Sequence, residues 1–151
     1  MDNFGLVVIG AHSGVWLTSL FEEYQNQNIL LVEPVPYNIA LLKENTTKYK
    51  NINIETSAVS EKNEIKKFYY VKPDAVKKLG KHWASGIGSF DKQHILNHKY
   101  KRFMVSDSDI EQIDIQYLSF SNLMEKYSVS SIDFLQIDVE GAEFEILNSI
   151  N

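Results

Sequence analysis

The chain has 151 residues, 44% hydrophobic and 23% charged, which fits one globular domain with a buried core and excludes wholesale disorder. Fifteen basic against twenty acidic side chains leave a net charge of −5, which argues against nucleic acid and anionic membranes as partners. With no cysteine there is neither a disulfide framework nor a thiolate nucleophile or metal ligand.

The opening "MDNFGLVVIGAHSG" has an acid where a signal peptide carries Lys or Arg, and its apolar run is too short to span a bilayer. A cytoplasmic protein is expected. Leu6 to Ile9 is a short continuous apolar run bounded by Gly5 and Gly10, the pattern of a strand buried on both faces. "VWLTSLFEEY" then repeats Val15, Leu17, Leu20, Phe21 and Tyr24 at helical spacing. "ILLV" (Ile29 to Val32) is a second strand, "YNIALLKENTTKY" a second helix and "INIETSAV" a third strand. Strand alternating with helix predicts an α/β fold with a mainly parallel sheet.

The middle of the chain breaks this rhythm. "EIKKFYYVK" is expected as an added strand, in a hairpin with what precedes it. From Pro73 to Tyr100 only short helical possibilities around "DKQHILNH" stand out, with a Gly-Ser-rich loop, "ASGIGSF", at the centre. "RFMVS" and "IEQIDIQYL" suit a strand pair, and "SFSNLMEKY" a helix with a Ser cap. "IDFLQIDV" resumes the buried-strand pattern and "EFEILNSI" starts a helix. With no repeat or linker, residues 1–151 read as a single domain carrying an insertion over 73–106.

Three features carry chemistry. Gly10 ends a strand and Gly14 precedes a helix, a tight turn that lets backbone N–H groups approach a ligand, although the full G-x-G-x-x-G spacing is absent. Glu33 ends the next strand about 20 residues on, where nucleotide-binding α/β folds place an acid that accepts from both ribose hydroxyls. Asp138 and Glu140 lie two apart at the exit of the last strand. They should therefore share a face and point into the crevice outside the carboxyl ends of the strands. Glu143 and Glu145 suit the positive end of the following helix.

With these residues in view, "IDFLQIDVEGAEFEIL" resembles the D-x-E-G-x-E signature of the FkbM-type S-adenosylmethionine-dependent methyltransferases. "IGAHSG" resembles their cofactor loop, "LVEPVPYNIALLKEN" their second strand, acid and Pro-containing turn, and "INIETSAVSEKNE" the segment that follows. The similarity runs in motif order from Leu6 to Leu147. It implies a Rossmann-like class I methyltransferase fold lacking the family's last strands, with S-adenosylmethionine as cofactor. It further implies that Gly10, Ala11, His12 and Gly14 line the methionine end and that Glu33 and Pro34 meet the ribose. Ser57 and Ala58 would flank the adenine, Asp138 would sit near the reacting methyl, and Glu140 would bind substrate or help take the hydroxyl proton. Ser85 to Phe90 is the candidate lid. The implied reaction is methyl transfer to a hydroxyl of a sugar, glycan or small molecule, by alignment of the centres and a carboxylate or His base.

The sequence departs from the family pattern at Val8, where an Asp is usual, and at His12, where an Asn is usual. Both, with the early end of the chain, leave open a cofactor-binding or interaction module that kept the fold without turnover. An uncovered sheet edge would also allow self-association. His94 and His98 are four apart in "HILNH", but no metal site is expected because the Glu of H-E-x-x-H is missing. Surface positions are the expectation for both. Mg²⁺ held over a phosphate by Asp138 and Glu140 is weakened by the lack of a P-loop Lys. Trp16 is expected in the core, and Trp83, in a loop, is the aromatic side chain to watch for acceptor contact.

Overall fold

In the computed structural model, which describes residues 2–80, 82–100 and 103–150, the chain begins with β1 (Asp2–Ile9), buried from Phe4 onward. A 3-10 turn at Val15–Leu17 leads into α1 (Thr18–Glu23), followed by β2 (Asn28–Val32) and α2 (Pro36–Asn45). Next come β3 (Ile52–Glu55), β4 (Ala58–Ser60), β5 (Glu64–Val71), α3 (Pro73–Leu79) and α4 (Lys92–Asn97). The chain continues with β6 (Lys99–Tyr100), β7 (Phe103–Met104), β8 (Ile110–Ser119), α5 (Phe120–Lys126), β9 (Val129–Ile137) and α6 (Glu143–Asn148).

The main sheet has the order β3-β2-β1-β9, with every pair parallel. Alternate residues of its central strands enter two cores, as the two-residue period of a strand requires. Leu6, Val8, Ile29 and Leu31 pack with Leu17, Phe21 and Leu42 on the side of α1 and α2. Val7, Ile9, Leu30 and Val32 pack with Phe120, Leu123 and Ile146 from α5 and α6 on the other. Two covered faces are why these strands read as unbroken apolar runs. Together these features form a Rossmann-like α/β fold.

Several sequence expectations change in the structure. "INIETSAV" is not one strand: it breaks at Thr56 and Ser57, so β3 joins the main sheet and β4 a second one, ordered β4-β8-β5. β5 makes no hairpin with what precedes it but runs antiparallel to β8, pairing Glu64 with Tyr117 and Val71 with Ile110. β7 pairs with β6, not with β8. α3 has no counterpart in the sequence reading. Trp16 is not in the core: it is 81% exposed. Trp83, singled out above, lies outside the described side chains. Among the described residues β9 is an edge of the main sheet, bonded only to β1. No described helix is long and apolar enough to cross a membrane.

Candidate functional site

The ends of β1, β2 and β9 converge because Ile9 is in register with both Val32 and Ile137. Beyond them opens a cavity of about 430 Å³, within the range of small-molecule sites. It lies outside the carboxyl ends of parallel strands, where open α/β sheets bind ligands.

Gly10, with φ +90°, turns the chain at the exit of β1. Side-chain atoms are excluded there, since a Cβ on Gly10 would overlap the Asp138 carbonyl oxygen. The turn's amides are already committed. Gly10 and Ala11 N–H both donate to Val32 O at 2.9 Å, His12 N–H to Glu33 Oε2 at 2.9 Å and Gly14 N–H to Ala11 O at 3.0 Å. The expectation that this turn's N–H groups face a ligand is therefore not met by these four. Their commitment to Val32, Glu33 and Ala11 also weakens the phosphate reading of the site. Ala11 is buried against the α1 and α2 side, and a Cβ at Gly14 would meet Leu42 and Phe21, so both shape the turn without lining the cavity.

Glu33 is 4% exposed and lies on the cavity wall beside Pro34. Its Oε1 accepts from Val35 N–H at 2.9 Å and Asn38 Nδ2 at 3.4 Å, and its Oε2 from His12 N–H. Burial opposes these donors and prevails, pushing the carboxyl up to about 7. Ala58 lines the cavity but Ser57 does not; its N–H donates to Glu55 Oε1 at 2.9 Å. Glu55, at the end of β3, also accepts from Lys126 Nζ at 2.6 Å and Tyr127 OH at 3.1 Å, tying α5 to the sheet.

Asp138 and Glu140 both reach the cavity, as their spacing predicted, although β9 stops at Ile137. The chain is held in register there by Asp138 N–H donating to Ile9 O at 2.8 Å. Glu140 has a partner that the sequence did not reveal: His94 Nε2 on α4 lies 3.3 Å from Glu140 Oε2. The His94 ring also packs over Gly141, 3.4 Å from where a Cβ would stand. His98 lines the cavity too, so neither histidine is the simple surface residue the sequence suggested.

Ser85 to Phe90 forms a roof, all six residues lining the cavity. Ser85 Oγ is 2.6 Å from His12 Nε2, and Ser85 O accepts from Asn38 Nδ2 at 2.8 Å. Ser89 exchanges backbone hydrogen bonds of 2.8 and 2.9 Å with Tyr69 of β5. Trp16 stands exposed at the cavity's edge. Asn38, His94, His98 and Trp16 are among the wall or near-wall residues that sequence reasoning missed. Only Asn38 had a usable signal, a polar residue on the inward face of a helix that follows the acid. Among the described residues, no group of three or more His, Asp or Glu side chains is arranged to hold a metal.

A parallel sheet between two helical layers, a glycine turn after β1, an acid after β2 and two carboxylates after the edge strand define a Rossmann-like α/β domain with a small-molecule crevice. The methyltransferase FkbM domain profile matches residues 9–151, and the chain belongs to that methyltransferase family. No curated protein and no solved structure matches it.

Proposed function

We propose that this chain is an S-adenosylmethionine-dependent O-methyltransferase acting on a hydroxyl of a sugar, glycan or small molecule. The observation that carries the reading is the convergence of Gly10, Glu33, Asp138 and Glu140 on one cavity. The fit to the cofactor is supported by the space left where Gly10 has no side chain and by a buried acid suited to hydroxyl donors.

When bound, S-adenosylmethionine supplies a sulfonium methyl already activated for displacement. The protein's task is then alignment, exclusion of water and removal of one proton. Glu33 would accept from the ribose, and Asp138, beside Gly10, would stand toward the methionine end. Glu140, hydrogen-bonded to His94, would take the acceptor's hydroxyl proton as its oxygen bonds to the methyl and the sulfur leaves as the thioether of S-adenosylhomocysteine. The roof from Ser85 to Phe90 keeps water from the reacting centres. Trp16 offers an exposed aromatic face to an acceptor at the cavity edge.

Calorimetric titration of S-adenosylmethionine and S-adenosylhomocysteine into the wild type and Glu33→Ala tests the reading. Saturable binding that the variant loses is expected. A folded wild-type chain that binds neither compound would overturn it.

A further inference from the structure

The donors that hold Glu33 lead back to one residue of the roof. The carboxylate accepts from Val35 N–H and Asn38 Nδ2 at Oε1, at 2.9 and 3.4 Å, and from His12 N–H at Oε2, at 2.9 Å. Val35 is a local partner, two residues along the same strand exit. The other two come from separate elements, Asn38 from α2 and His12 from the turn after β1.

Those two donors share a further partner. Asn38 Nδ2 also donates to Ser85 O at 2.8 Å, and His12 Nε2 lies 2.6 Å from Ser85 Oγ. Ser85 thus reaches each oxygen of the carboxylate through one intervening residue, Oε1 by way of Asn38 and Oε2 by way of His12. Four residues close a ring. The His12 arm matters because that residue has φ +53°, a left-handed conformation that an L side chain adopts at a cost. Its ring contacts, to Ser85 Oγ and to Ser13 Oγ at 3.3 Å, help to keep its N–H on Glu33.

A carboxylate accepts a hydroxyl best where a free lone pair is already aimed, because ordering the group on binding subtracts from affinity. The donors already in place decide which lone pairs of Glu33 remain for a ligand, and Ser85 anchors two of those donors. We propose that Ser85 is a positioning residue for the ribose site, orienting the Glu33 carboxylate toward the hydroxyls of a bound nucleoside through Asn38 and His12. The inference rests on the nucleoside-cofactor reading of the cavity and adds to it a roof residue that acts on sugar recognition.

The test is calorimetry with S-adenosylhomocysteine and its 2′,3′-dideoxy analogue on wild type, Ser85→Ala and His12→Asn, with thermal melts to verify folding. Ser85→Ala cuts the His12 arm at the hydroxyl. His12→Asn keeps the backbone N–H in a residue type that tolerates a left-handed conformation, but its side chain is too short to meet Ser85. The wild type is expected to bind the dideoxy compound about tenfold or more weakly than the parent. Each variant should lose about fivefold for the parent, yet bind the dideoxy compound within about twofold of wild type, since Glu33 then has no hydroxyl to accept. A residue that merely braced the roof would weaken both ligands alike, and that result overturns the proposal. So does wild-type affinity of the variants for the parent, or a wild type indifferent to the hydroxyls. Should Ser85→Ala not fold, His12→Asn decides by the same pattern. These outcomes leave cofactor binding itself standing, whereas a folded wild type that binds no S-adenosylhomocysteine removes both readings.

Discussion

Gly10 and Asp138 approach so closely at the ends of β1 and β9 that no side chain fits between them. Gly10→Ala would have to place a Cβ into the Asp138 carbonyl oxygen at φ +90°, a conformation that disfavours L side chains. Destabilisation on the order of 3 kcal/mol is expected, read as a lower midpoint in denaturant unfolding. An unchanged midpoint would mean that the two strand ends can part without cost.

Glu33 gives the site a pH dependence with a definite sign. Its folded carboxyl titrates at about 7, against a reference of 4.5. Between these values the folded chain holds a proton that the unfolded chain has released, so stability should fall as pH rises from about 4.5 to about 7. A hydroxyl donor needs the ionised form, so affinity for S-adenosylhomocysteine should rise with pH and level off above about 7. Calorimetry on both sides of neutrality checks this, with Glu33→Gln expected to show no such rise.

Glu140 and His94 should separate binding from turnover. Glu140→Gln is expected to bind S-adenosylhomocysteine within about twofold of wild type and to lose about 100-fold in methyl transfer once an acceptor is in hand. His94→Ala should lower turnover by less, since the carboxylate remains. A Glu140→Gln variant with wild-type turnover would remove the carboxylate from the chemistry.

Glu55 anchors the neighbouring strand end. Burial raises its carboxyl, but Lys126, Ser57 and Tyr127 outweigh that and hold it below the usual range. Lys126→Met should cost about 2 kcal/mol at neutral pH, a figure reduced by the exposure of the ammonium. The contribution is present above the ordinary Glu value and is lost as pH falls through the lower folded one. Urea unfolding of the variant and wild type at neutral and acidic pH would show the difference closing.

Val8 is fully buried between β1 and the α1 and α2 layer. Restoring the family's Asp by Val8→Asp should therefore destabilise this chain by about 3 kcal/mol or more, with no gain in ligand affinity. A tighter-binding, stable Val8→Asp variant would show that the core has room for the acid.

The outer frame was legible because its physics is local. Ile29 to Val32 announces a strand with both faces covered, and Ser119 announces a helix by capping it, its Oγ accepting from Asn122 N–H. The second sheet was not legible, since β5 finds its partner in β8, far along the chain, and nothing near Phe68 or Tyr70 specifies Ile113 or Glu111. In the site, Asp138 and Glu140 were readable from their place after an apolar run. His94 was not, because its approach to Glu140 depends on where α4 is carried by the packing of Ile95. The division between Ser57 and Ala58 was equally hidden, for it turns on a chain that leaves one sheet at Glu55 and joins the other at Ala58.

The roof is tied down at Ser85 to His12 and Asn38 and at Ser89 to Tyr69. Because Asn38 bonds both Ser85 O and the Glu33 carboxylate, a disturbance of the roof at Ser85 is passed to the acid on the opposite wall, so the two ends of the cavity are adjusted together.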